Sequence, residues 1–116
     1  MTEARVRQPI PGQDKTVGYF TARNDGTAPI VLVGAQSPSL RSIEMHAILH
    51  DGDMVRMRRQ QTVEIAPGET VRFQPGGLHL MIFGTAGLGE TVDIELVTAS
   101  GGRVPVTFRT FALGEQ

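Results

Sequence analysis

The chain has 116 residues, of which 40% are apolar and 20% charged. That composition suits one globular domain and excludes a disordered tail or two separate cores. Eleven basic against twelve acidic side chains leave a net charge of −1, and the ten arginines are scattered, so neither nucleic acid nor an anionic membrane is an expected partner. No apolar run approaches the roughly 18 residues of a membrane-spanning helix. Cysteine is absent, which excludes disulfide scaffolds, thiolate metal sites, cysteine nucleophiles and blue-copper ligation.

Residues 1–16 carry little periodicity and read as an N-terminal arm or a first edge strand. Met1-Thr2-Glu3-Ala4-Arg5 lacks the apolar segment of a secretory signal. A single domain is expected over 17–113. Strands are expected at Val17–Arg23, Ile30–Ala35, Ile43–Leu49, Met54–Arg59, Thr62–Ile65, Thr70–Gln74, Leu78–Phe83, Thr91–Thr98 and Val104–Phe111. Turn signals separate them: Asp25-Gly26, Asp51-Gly52, Pro67-Gly68, Pro75-Gly76-Gly77 and Gly101-Gly102. Val92, Ile94 and Leu96 alternate with Asp93 and Glu95, and Val104, Val106 and Phe108 alternate with Pro105, Thr107 and Arg109. One covered and one wet face is the antiparallel pattern. Ser37-Pro38-Ser39-Leu40 is the one candidate for a helical turn. The expected fold is all-β, a Greek-key β-sandwich of the cupredoxin-like or immunoglobulin-like kind.

The usual catalytic arrangements are missing. There is no glycine-rich phosphate loop, no serine in a nucleophile elbow and no His-x-x-x-His pair. Asp51 and Asp53 flank a turn glycine and read as a solvated hairpin tip. No enzymatic activity is expected. What stands out is a spaced set of soft donors, His46-x10-Met57-x21-His79-x-Met81. Thioether sulfur is soft and neutral and imidazole is borderline, so two of each favour Cu(I) over Zn(II), Mg(II) or Ca(II). His79 and Met81 stand at i and i+2 of one strand and share a face, leaving Leu78, Leu80 and Ile82 for the core. If Asp51-Gly52 is the centre of a two-residue hairpin, His46 lies opposite Met57. That register also puts Met45, Ala47 and Leu49 on one face with Arg56 and Arg58. A one-residue slip repairs the pattern but turns Met57 to the wrong face. A bulge or snorkelling arginines would reconcile the two.

The spacing resembles the signature of the PCu(A)C family of periplasmic copper chaperones. Gly18-Tyr19-Phe20-Thr21 followed by Asn24, Leu32-Val33-Gly34-Ala35 with Ser37-Pro38, Val63-Glu64-Ile65-Ala66-Pro67-Gly68, and Pro75-Gly76-Gly77-Leu78-His79-Leu80-Met81 are similar to that family's segments. The sharp motifs cover Val17 to Phe83. The family often carries Met directly after its first histidine; here Ala47 stands there and Met45 precedes His46. The resemblance implies a periplasmic, monomeric Cu(I) carrier with His46, Met57, His79 and Met81 as ligands. It further implies delivery to the Cu(A) domain of cytochrome c oxidase subunit II, directly or with a Sco-type protein. A copper buffer or a metal-free assembly module are the competing readings. His50 reads as an exposed hairpin residue with a reserve role at a weaker, auxiliary Cu(II) site. Met45 and Met54 read as packing residues. Glu44, two residues before His46, shares its face and is either solvated or set to fix an imidazole tautomer.

Overall fold

Glycine and proline number twenty-one, and they cut the chain into extended segments too short to bury their apolar faces singly. These segments therefore assemble side by side. A computed structural model describes residues 2–85 and 87–112, with the backbone alone at Asp51. Met1 and Leu113, the outer ends of the expected segments, lie outside them. Ten strands follow in chain order: β1 (Thr2–Arg7), β2 (Lys15–Arg23), β3 (Ile30–Gln36), β4 (Ser42–Asp51), β5 (Met54–Gln60), β6 (Val63–Ile65), β7 (Thr70–Phe73), β8 (His79–Phe83), β9 (Thr91–Thr98) and β10 (Arg103–Phe111). Among the described residues there is no helix. Ser37–Leu40 forms a turn instead, with the Leu40 amide donating to the Ser37 carbonyl at 3.3 Å.

All ten strands join one hydrogen-bonded sheet, ordered β5-β4-β8-β2-β1-β10-β9-β3-β6, with β7 on β2. One further pairing, Ala35 with Ile43, connects β3 to β4 and curls the sheet into a barrel-like form. The all-β expectation therefore holds, while the sheet is continuous where a Greek-key sandwich was expected. Residue alternation reports a covered and a wet face and does not distinguish two stacked sheets from one curled sheet. The N-terminal residues are neither arm nor edge. β1 lies between β2, antiparallel, and β10, parallel, because Val6 is fully buried and needs a place in the wall.

The interior is filled by Phe20, Phe73 and Phe108 with Leu32, Ile65, Leu80, Ile82, Ile94 and Leu96. Phe20 stacks on Phe73 at 4.4 Å and meets Phe108 edge-on at 6.0 Å, the two arrangements that ring quadrupoles favour. A Cβ on Gly18 would lie 3.0 Å from the tip of the Ile82 side chain, which packs over this glycine. A second apolar group, Val17, Tyr19 and Phe111, lies on the opposite face of the same wall and packs against Met81. β2 is thus covered on both sides, and its outer cover leads directly to one of the candidate ligands.

Asn24 is the most heavily bonded buried side chain. It is 1% exposed, its Nδ2 donates to the carbonyls of Ala28 and Ile65, and its Oδ1 accepts from the Gly26 amide at 2.9 Å. The side chain locks the end of β2 to β6. Asn24→Ala would leave these backbone groups without a partner, and we expect a loss of about 2–3 kcal/mol, read as a lowered urea midpoint with an unchanged slope.

Candidate metal site

The site is built from three neighbouring strands. On β8, Leu80 and Ile82 point into the core with no exposed surface, so His79 and Met81 take the outer face. On β4, Ile43 and Met45 are the buried residues, which turns Glu44 and His46 outward. The antiparallel register sets His46 opposite His79 and Glu44 opposite Met81. The two imidazole rings lie 5.8 Å apart between centroids, tilted by 35°. Met81 is half-buried against Val17, Tyr19 and Phe111.

The fourth residue arrives by a register that differs from the expected one. The hairpin turn is centred on Gly52-Asp53, with Asp51 paired to Met54 and Gly52 at φ 62°, a left-handed conformation suited to the first central position. His46 therefore faces Arg59, and Met57 faces Ile48. The shift is two residues, so parity is kept and Met57 remains on the His46 face, one diagonal away. Diagonal neighbours stand about 7–8 Å apart, within reach of long side chains. Arg56 and Arg58 do share a face with Ala47 and Leu49. No bulge is needed, because this end of the hairpin projects beyond the core: Leu49 is 41% exposed and both arginines are exposed. Met57 is 53% exposed. Of the remaining candidates, Met45 is buried core and Met54 is exposed beside the hairpin turn. His50 is exposed on the His46 face.

Each imidazole commits one nitrogen to a group that can only accept. His46 Nε2 donates to Glu44 Oε1 at 2.9 Å. His79 Nδ1 donates to the Gly77 carbonyl at 3.2 Å. The opposite nitrogens, His46 Nδ1 and His79 Nε2, must then carry lone pairs in the neutral rings. Both are buried and neither has a partner. Glu44 stays ionised, its carboxyl held below the ordinary 4.5 by the hydrogen bond from His46 and by the charges of Arg59 and His46, against the opposing effect of burial. Burial holds the His79 imidazole below the ordinary 6.5; the Gly77 carbonyl opposes this and the neighbouring His46 adds to it. The sequence left the role of Glu44 open, and here it grips His46. The Gly77 carbonyl and Arg59, whose Nη1 lies 3.8 Å from Glu44 Oε2, were not foreseen, since neither carries a motif.

The chain matches the profile of the family described as "Putative lipoprotein LpqE-like" over residues 1–110. It is 25% identical over 99 residues to "Putative lipoprotein Lxx21020" of Leifsonia xyli subsp. xyli, a match that takes in 82% of the chain and 60% of that relative. The chain thus spans less than two thirds of the curated relative's length. Among solved structures, CuI-DR1885 from Deinococcus radiodurans superposes with a TM-score of 0.73 at 30% identity, covering 97% of this chain and 77% of that one. The copper-bound PCuAC domain from PmoF2 superposes with a TM-score of 0.74 at 22% identity, covering 94% and 88%. The chain belongs to the LpqE-like family of PCu(A)C proteins.

In this LpqE-like domain the outer face of β4 and β8 holds two neutral, unpartnered imidazole nitrogens on adjacent strands. Such groups cost stability in the interior unless something binds them. Among the described residues no group of three or more His, Cys, Asp or Glu side chains gathers. The protonation of His79 also gives a stability signature. Its folded pKa lies below the unfolded one, so below about pH 6.5 the unfolded chain takes up a proton that the folded state resists. Metal-free protein should lose stability as pH falls through that region, and His79→Gln should flatten this part of the profile. Urea midpoints at about pH 7.5 and 5.5 make the comparison; an unchanged slope in the variant would assign the effect elsewhere.

Proposed function

We propose that this LpqE-like protein is an extracytoplasmic copper carrier that holds Cu(I) through His46 and His79 nitrogen and Met57 and Met81 sulfur. The observation that carries the reading is the pair of buried, unpartnered lone pairs, His46 Nδ1 and His79 Nε2, with Met81 two residues along the same strand face. Two thioethers and two imidazoles are a soft, neutral donor set, which suits Cu(I) better than the harder divalent ions. Copper-loaded relatives of the same fold support it: one is named as a CuI form and one as a copper-bound PCuAC domain. The lipoprotein names of the family and of its curated relative support a place outside the cytoplasm.

The chemistry is carriage by ligand exchange, without bonds made or broken in the protein. His46 and His79 form the sheltered half of the site, their outer nitrogens anchored to Glu44 and Gly77. Met57, more than half exposed on the edge strand, is the donor that an incoming ligand can displace first. A fully buried cage would bind the ion and release it slowly. The destination we favour is the Cu(A) centre of cytochrome c oxidase subunit II, reached directly or through a Sco-type protein. Cu(II), which tolerates nitrogen and oxygen donors, would bind more weakly with help from His50.

Met57→Ala or Met81→Ala should weaken Cu(I) by at least about tenfold, roughly 1.4 kcal/mol, and Cu(II) far less. Competition titrations with chelators of each oxidation state measure this; equal losses for both ions would contradict the sulfur assignment. Cu(I) affinity should also fall as pH drops below about 6.5, as protons compete for the imidazoles. A flat profile would remove the histidines from the site.

A further inference from the structure

We infer that Glu44 is a positioning residue that makes His46 present Nδ1, rather than Nε2, to the metal. The inference rests on the copper reading and extends it to a residue outside the ligand set. Three observations carry it. Glu44 Oε1 accepts from His46 Nε2 at 2.9 Å, which commits that nitrogen as a donor and leaves Nδ1 bare. His79 is held the other way round, with Nδ1 on the Gly77 carbonyl and Nε2 bare. The two neighbouring rings, 5.8 Å apart between centroids, therefore leave unlike nitrogens bare, and reversing either ring would put an N–H where the lone pair now stands. Glu44 also stands directly opposite Met81 and lies 3.8 Å from Arg59, two residues beyond Met57 on the same face of β5. One carboxylate thus touches the His46 ring and reaches the strand that carries Met57. Metal-bound imidazoles characteristically have such an acceptor behind them, and its loss costs about 10–100-fold in affinity.

The test uses Ag(I), a redox-inert stand-in for Cu(I), on the whole chain labelled with 15N. Long-range proton–nitrogen spectra of the silver-loaded wild type should show the metal on Nδ1 of His46 and Nε2 of His79. Glu44→Ala should lower Ag(I) affinity by about 10–100-fold and divide His46 between Nδ1-bound and Nε2-bound forms. Glu44→Gln keeps a carbonyl acceptor at the same place and should restore the single Nδ1-bound form and most of the affinity. Glu44 is 30% exposed and outside the core, so both variants should fold, and backbone amide spectra verify this. Silver on His46 Nε2 in the wild type, or unchanged affinity and unchanged nitrogen assignment in Glu44→Ala, would overturn the role of Glu44 while leaving the copper reading in place. A wild type that binds no Ag(I) would overturn both.

Discussion

The pairing of β4 with β8 is the contact on which the site depends. It sets His46 opposite His79 and turns both to the outer face, because Met45 on one strand and Leu80 on the other are claimed by the core. A one-residue slip of either strand would turn its imidazole into the core and its apolar row to the outer face. The same hydrophobic pattern that closes the barrel therefore aims the donors. Gly18 lies beside this pairing, and a Cβ there would meet the Ile82 side-chain tip at 3.0 Å, so Ile82 packs closely over it.

Around this pairing the residues divide into a well-packed set and an exposed set. His79 and Met81 rest on a strand supported from behind by the core and flanked by Val17, Tyr19 and Phe111. Met57 stands on β5, the last strand at its end of the sheet, paired on one side to β4. Edge strands yield more readily than central ones, having fewer hydrogen bonds and less packing to lose. Of the four residues singled out by their spacing, three lie on strands paired on both sides and one lies on an edge. Glu44 and the Gly77 carbonyl each engage one nitrogen of the imidazole pair.

Several residues break the rules of a well-packed protein, some at the candidate site and some elsewhere, among them the buried, unpartnered Thr85 hydroxyl and the exposed Val55. Two buried ring nitrogens are left without hydrogen bonds, and an unbranched apolar side chain, Met57, stands in water. Elsewhere the buried polar groups include Asn24, whose amide is fully engaged.

Much of this was legible in the residues. The alternation in β9 and β10 and the placement of glycine and proline marked nine strands near their observed positions, because the side-chain period of a strand is local and set by the backbone. The spacing of His46, Met57, His79 and Met81 drew attention to the outer face of β4 and β8, and the i, i+2 relation placed His79 and Met81 on one face for the same local reason. The hairpin register was beyond reach: Asp51-Gly52 and Gly52-Asp53 are both competent turn centres, and the choice between them depends on how β4 lies against β8. So did the fate of Arg56 and Arg58, which share a face with Leu49 only because the hairpin extends past the core. The insertion of β1 between β2 and β10, and the closure of β3 on β4, pair residues far apart in the chain. No local pattern encodes such pairings; they are decided when the whole apolar surface is buried at once.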